Sequence, residues 1–152
     1  MRRATSLPTI AAAALLSVLG SAAPARADMF GVRAGYYTDV EEPFAGVEFL
    51  VGVGNRIYFN PNFEYVFTED PDFMTFNADF HYDFRTRGRA YVWAGAGLGV
   101  LYSNPEVGDG NTDLGLNLLF GLGLKGDVVP YLQGKVIVSD DTEFVIGVGL
   151  RF

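Results

Sequence analysis

"DLGLNLLFGLGLKGD", residues 113–127, decides the fold. Leu114, Leu116, Leu118, Phe120, Leu122 and Leu124 recur at every second position, with Gly115, Asn117, Leu119, Gly121 and Gly123 between them. A helix repeats every 3.6 residues and would scatter these side chains round its circumference, whereas a strand sends alternate residues to opposite faces. The run therefore reads as a strand with one bulky apolar face and one small face. The segment 73–84 obeys the same rule. Met74, Phe76, Ala78, Phe80, Tyr82 and Phe84 share one side; Thr75, Asn77, Asp79, His81 and Asp83 share the other.

Extended outward, this alternation predicts eight strands at 29–38, 43–53, 57–67, 73–84, 90–103, 112–125, 129–139 and 143–152. "TDVEEP", "GNR", "TEDPD", "RTRGR", "NPEVGDGN", "KGD" and "SDDT" separate them, all of turn chemistry. No stretch keeps a helical period, and the 19 glycines would be costly inside helices.

Bulk decides which face is inside. The interior of an eight-stranded barrel is only just wide enough for its own side chains. Phe144, Ile146, Val148, Leu150 and Phe152 with their counterparts on other strands are too large for it, while Gly95, Gly97, Gly99, Gly115, Gly121, Gly123, Gly147 and Gly149 suit a crowded lumen. The apolar face thus points outward, toward lipid, and the sheet must close because hydrocarbon satisfies no backbone polar group. The expected fold is all-β, an eight-stranded antiparallel up-and-down transmembrane β-barrel. An even strand number returns both termini to one side.

Charge agrees with that path. The four turns on one side hold twelve acidic residues between Asp39 and Glu143 and no basic one. The three opposite turns hold Arg56, Arg85, Arg87, Arg89 and Lys125 against Asp127 alone. Aromatic belts are expected at Tyr36, Tyr65, Phe67, Tyr102 and Phe144 on the acidic side, and at Phe30, Phe59, Phe84 and Phe152 on the basic side.

Residues 1–27 read as a cleaved secretory signal peptide: Arg2 and Arg3, an apolar run from Ile10 to Ala23, and the A-x-A site Ala25-Arg26-Ala27. General export fits better than a twin-arginine route or a membrane anchor. The barrel domain then occupies 28–152. Without Arg2, Arg3 and Arg26, eight basic residues face 18 acidic ones, a net of −10, which disfavours nucleic acid. The absence of cysteine rules out disulfides, zinc thiolates and a lipoprotein anchor.

"AYVWAGAGLGVLY" (residues 90–102) and the terminal "FVIGVGLRF" (residues 144–152) resemble small bacterial outer-membrane β-barrel proteins of the OmpA/OmpX-like kind. The resemblance implies a bacterial cell outer membrane location in a Gram-negative envelope. It also implies that Gly147, Leu150 and Phe152 form an insertion signal read by the barrel-assembly machinery. Val145 departs from the family pattern, where a polar residue is usual. A peptidoglycan-binding domain carried by some relatives is expected to be absent.

Arg33, Lys135, Arg151 and Lys125 are expected in the lumen against Glu48, Glu64, Asp79 and Asp83, as a near-balanced set that pairs internally. Arg33 and Glu48 lie on adjacent strands and can pair. His81, the one histidine, is expected as a hydrogen-bonded lumen residue, with neither Ser103 nor Ser139 placed to act as its nucleophile. "DGNTD" carries Asp109, Asn111 and Asp113 at calcium-loop spacing, but Leu114 and Phe120 stand where glycine and the bidentate acid belong. "AGAGLGV" lacks the spacing and helix of a nucleotide loop; its glycines make room for Trp93, Tyr37 and Tyr131.

The expectation is a non-enzymatic integral outer-membrane protein with a filled lumen, serving envelope integrity or surface contact. It has no catalytic residue, cofactor or metal, and its partners are outer-membrane lipid or lipopolysaccharide. It is expected to be a monomer. A lipid A-modifying enzyme is the alternative, weakened because Tyr82 and Asp83 follow His81 in place of a His-x-Ser motif. A soluble ligand-binding barrel would require the two faces to be inverted.

Overall fold

The computed structural model describes residues 29–69, 71–105 and 107–152. The signal-peptide reading over 1–27 and the start at Asp28 lie outside the described residues, as do Asp70 and Glu106. Eight strands follow in order: β1 (Met29–Tyr37), β2 (Glu42–Gly52), β3 (Ile57–Val66), β4 (Asp72–Phe84), β5 (Ala90–Asn104), β6 (Asn111–Leu124), β7 (Val129–Val138) and β8 (Glu143–Arg151). Every boundary falls within one residue of the range read from the alternation.

Each strand pairs antiparallel with its chain neighbours, and β1 pairs with β8, so the sheet is a closed up-and-down barrel. Closure leaves no edge strand with unpaired backbone groups. The last residue takes part, since Phe152 N donates to the Phe30 carbonyl at 2.8 Å.

Leu114 through Leu124 at even positions of β6 all face outward, as do Phe76 and Phe80 on β4. Phe120 is 58% and Ile146 59% exposed, although both sit mid-strand in the sheet. The exterior also carries cross-strand aromatic pairs: Phe59 with Phe80, and Phe63 with Phe76, each 4.9 Å between ring centres. The faces of a water-soluble barrel are therefore reversed here.

One strand solves a local problem. Pro61 sits inside β3, where it has no N–H to give the ladder. Pairing of β2 with β3 is interrupted between Glu48↔Asn62 and Val51↔Phe59. The Asn60 side-chain amide donates instead to the Phe49 carbonyl, at 3.2 Å.

Candidate functional site

The barrel interior is where the chain concentrates its polar chemistry, and it is layered along the axis. At the acidic end Tyr37, Phe44, Val66, Leu101, Ile137 and Val145 form a buried apolar cap, with Phe73 against it. The expectation of a small and polar lumen missed this layer. Its signal was present as inward positions at the acid-end termini of β1, β2, β3, β5, β7 and β8 that hold large apolar residues. Val145, the departure from the insertion-signal pattern, is 2% exposed in this cap.

Beneath the cap, Glu64 is the hub. Lys135 Nζ donates to its Oε2 at 2.8 Å, Thr75 Oγ1 at 3.2 Å, and Tyr37 OH gives the same oxygen a short hydrogen bond. Arg33 Nη2 stands 3.1 Å from Glu64 Oε1, a charge contact without hydrogen-bond alignment. Arg33 also reaches toward Glu48, Nη1 to Oε2 3.7 Å. Glu48 is held more closely by Arg151, whose Nε donates at 2.7 Å, and by Asn60 Nδ2 at 2.9 Å. The expected Arg33–Glu48 contact is thus the longer one, and Arg33 bridges two carboxylates.

Among the described residues no cation pairs with Asp79. Asn117 Nδ2 donates to its Oδ1 at 2.7 Å and Asn62 Nδ2 to its Oδ2 at 2.9 Å. Asn77 links this pair to the hub, donating to Asn62 Oδ1 at 2.9 Å and Thr75 Oγ1 at 3.0 Å. The asparagines make the charge layer continuous: Asn60, Asn62 and Asn77 each donate and accept, while Asn117 donates only, its Oδ1 having no partner among the described residues. Among the described residues, apart from Glu143 at the rim, three buried cations (Arg33, Lys135, Arg151) equal in number three buried carboxylates (Glu48, Glu64, Asp79), of which Asp79 is held by amides alone. Buried charge is tolerated only when compensated in this way.

Below the charge layer, Trp93, Tyr131 and Leu119 form an aromatic floor packed by Tyr91. The Arg151 guanidinium lies 4.8 Å from the Trp93 ring centre and 4.3 Å from that of Tyr131. Gly121 and Gly149 are required here. A Cβ at Gly121 would overlap the Trp93 ring, and one at Gly149 the Tyr131 ring.

His81 is 3% exposed, between Tyr58 and Trp93, with Nε2 3.3 Å from Asp83 Oδ1. That contact lacks hydrogen-bond geometry, so the expected hydrogen bond to this nitrogen is absent among the described residues. Two further expectations need correction. Lys125 is exposed outside the lumen, its Nζ reaching the Thr86 and Gly88 carbonyls at 3.5 and 3.3 Å, because it begins the turn after β6. Asp83 is only part-buried, at the basic mouth.

Gly147 faces the lumen beside Phe44, whereas Leu150 and Phe152 face outward. Ser103 pairs in register with Phe73 and His81 with Gly95, eight residues away along β5, a separation of about 26 Å at strand rise. Ser139 follows β7 at that same acidic end. No serine among the described residues is therefore near His81. Asn111 and Asp113 bond to each other, Nδ2 to Oδ2 2.7 Å. No group of three or more His, Cys, Asp or Glu among the described residues is placed to hold a metal ion.

No family model and no curated protein matches the chain. Solved structures do. The N-terminal β-barrel domain of Pseudomonas aeruginosa OprF aligns with TM-score 0.64 and 16% identity over 82% of this chain and 96% of that one. Neisserial surface protein A gives 0.64 and 15% over 82% and 94%. The outer membrane enzyme PagL gives 0.56 and 12% over 83% and 99%. At these identities the likeness is one of fold, the eight-stranded barrel of small outer-membrane proteins.

Proposed function

We propose that this chain is a non-enzymatic integral protein of the bacterial outer membrane, with a filled lumen and a role in envelope integrity or surface contact. The observation that carries the reading is a closed barrel whose whole girth is bulky hydrocarbon while its charges are compensated inside. Such an exterior is stable against acyl chains and unstable against water. In this reading the acidic turns face out of the cell and the basic turns face the periplasm. Outer-membrane lipid or lipopolysaccharide surrounds a monomer. Gly147, Leu150 and Phe152 present the insertion signal to the assembly machinery, with Phe152 seated in the β1–β8 seam.

The cap and the aromatic floor also support a barrel that passes no ions. Heat-modifiable migration on SDS gels and recovery in the outer-membrane fraction test the location. Identical migration before and after boiling, with the protein in the soluble periplasm, would reject it. The fold is shared with an outer membrane enzyme, PagL, so the alternative of a lipid A-modifying enzyme is tested as well. Mass spectra of lipid A from cells with and without the protein are expected to be identical, and an altered acyl pattern would reverse the non-enzymatic reading.

A further inference from the structure

The basic end opens into a vestibule of about 460 Å³ below the lumen network, which reaches it through Tyr91, whose hydroxyl accepts from Arg151 Nη1 at 3.2 Å. Tyr58, Asp83 and Tyr91 line it, and Arg56, Arg85 and Lys125 stand round its mouth. Neither Arg56, Arg85 nor Lys125 forms an ion pair among the described residues, and Asp83 meets only His81. Cations and a carboxylate thus share one vestibule without neutralising one another. Asp83 Oδ1 is turned away from solvent toward His81, so the exposed remainder of its side chain is what the vestibule meets. His81, almost wholly buried, carries an unpartnered Nε2 at the same place.

The turn that delivers Arg56 adds a second observation. Arg56 has φ +66°, the left-handed region where glycine is at no disadvantage and a long side chain is disfavoured. Local strain of this kind is a pointer to function. Glycine would suit the turn better, yet an arginine stands at the mouth.

We infer that the vestibule binds a small zwitterion, its oxyanion held by Arg56, Arg85 and Lys125 and its ammonium by Asp83 between the faces of Tyr58 and Tyr91. Arginine and lysine recognise phosphate or carboxylate through charge-assisted hydrogen bonds. An ammonium group satisfies the free carboxylate and gains from the aromatic faces. Three cations against one carboxylate repel a simple cation and attract an oxyanion, and Asp83 adds affinity for a ligand that carries an ammonium beside that oxyanion. Phosphoethanolamine headgroups and peptide ends share this chemistry. The inference rests on the outer-membrane reading only for the compartment the vestibule faces.

Calorimetry on the full barrel in alkyl maltoside micelles tests the site independently of location. Emission of Trp93, the single tryptophan, gives a second readout, because its ring stacks on Tyr91 at 5.0 Å between centres. Glycerophosphoethanolamine is expected to bind saturably and more tightly than glycerol phosphate. Asp83→Asn abolishes that preference, and Arg85→Gln weakens binding about tenfold, the scale of one charge-assisted hydrogen bond. Arg56→Gly weakens binding similarly while the unfolding midpoint holds or rises. Alanylalanine in place of the headgroup identifies the source: tighter binding assigns the site to peptide ends, weaker binding to lipid headgroups. Absence of saturable binding by either zwitterion would overturn the inference. So would equal binding of glycerol phosphate that Asp83→Asn leaves unchanged, or a loss of stability in Arg56→Gly.

Discussion

The apolar cap around Tyr37 and the charge layer around Glu64 are neighbours in one lumen, joined by the Tyr37 hydroxyl, yet they hold together by different rules. The cap is an ordinary close-packed cluster, with Tyr37 edge-on to Phe44 at 5.4 Å and to Phe73 at 5.8 Å. Its stability should fall in proportion to the hydrocarbon removed. The charge layer is collective. Lys135, Tyr37 and Thr75 all bond one carboxylate, and Arg33 shares it with Glu48, so removing it strands Lys135 and weakens the hold on the others. The lumen holds both, because its buried charges must be compensated inside while the rest of its space is closed by packed apolar side chains.

The largest effect is expected at the hub. Glu64→Leu is expected to cost about 3–5 kcal/mol, read as the shift in urea midpoint of the barrel refolded in lipid vesicles. Adding Lys135→Met should recover part of that loss, because one stranded charge is removed with its partner. A double variant as unstable as the sum of its singles would show that the pair is not coupled. Next in size is Ile137→Ala in the cap, at about 2–4 kcal/mol, with Ile137→Val at about 1 kcal/mol by the same measurement. A graded series there against an abrupt loss at Glu64 is what distinguishes the layers.

Asn60→Ala should cost about 1–3 kcal/mol, since it strands the Phe49 carbonyl beside Pro61 and takes a donor from Glu48. Hydrogen exchange should then show local opening along β2 and β3 rather than global loss. The smallest effect is expected outside. Leu118→Ile conserves volume against fluid acyl chains and should change stability by less than about 0.5 kcal/mol. A large change there would mean that the exterior packs against protein.

Much of this was legible from the chain. Strand limits followed from alternation because side-chain direction in a strand is a local property, settled residue by residue. The inward placing of Arg33, Glu48, Glu64, Asp79, His81, Lys135 and Arg151 followed from the same parity. Lys125 misled because parity continues past a strand end whereas the strand does not. The cap was missed for another reason: Phe44, Ile137 and Val145 each look like isolated exceptions within their own strands. The continuity of Asn60, Asn62, Asn77 and Asn117 was equally hidden, since an asparagine signals polarity without naming its partner.

The strand number, the outward face and the charge of each end were readable from the chain alone, because alternation is local and the bulk and charge of successive segments simply add along it. Only the closed barrel decided that Lys135 meets Glu64 across 71 residues and Arg151 meets Glu48 across 103. Lys135 on β7 reaches β3 across the lumen, whereas Arg151 and Glu48 meet over Gly31 of the strand between them, and the height of both contacts on the axis is set by the stagger between strands. That stagger exists only when β8 has paired with β1.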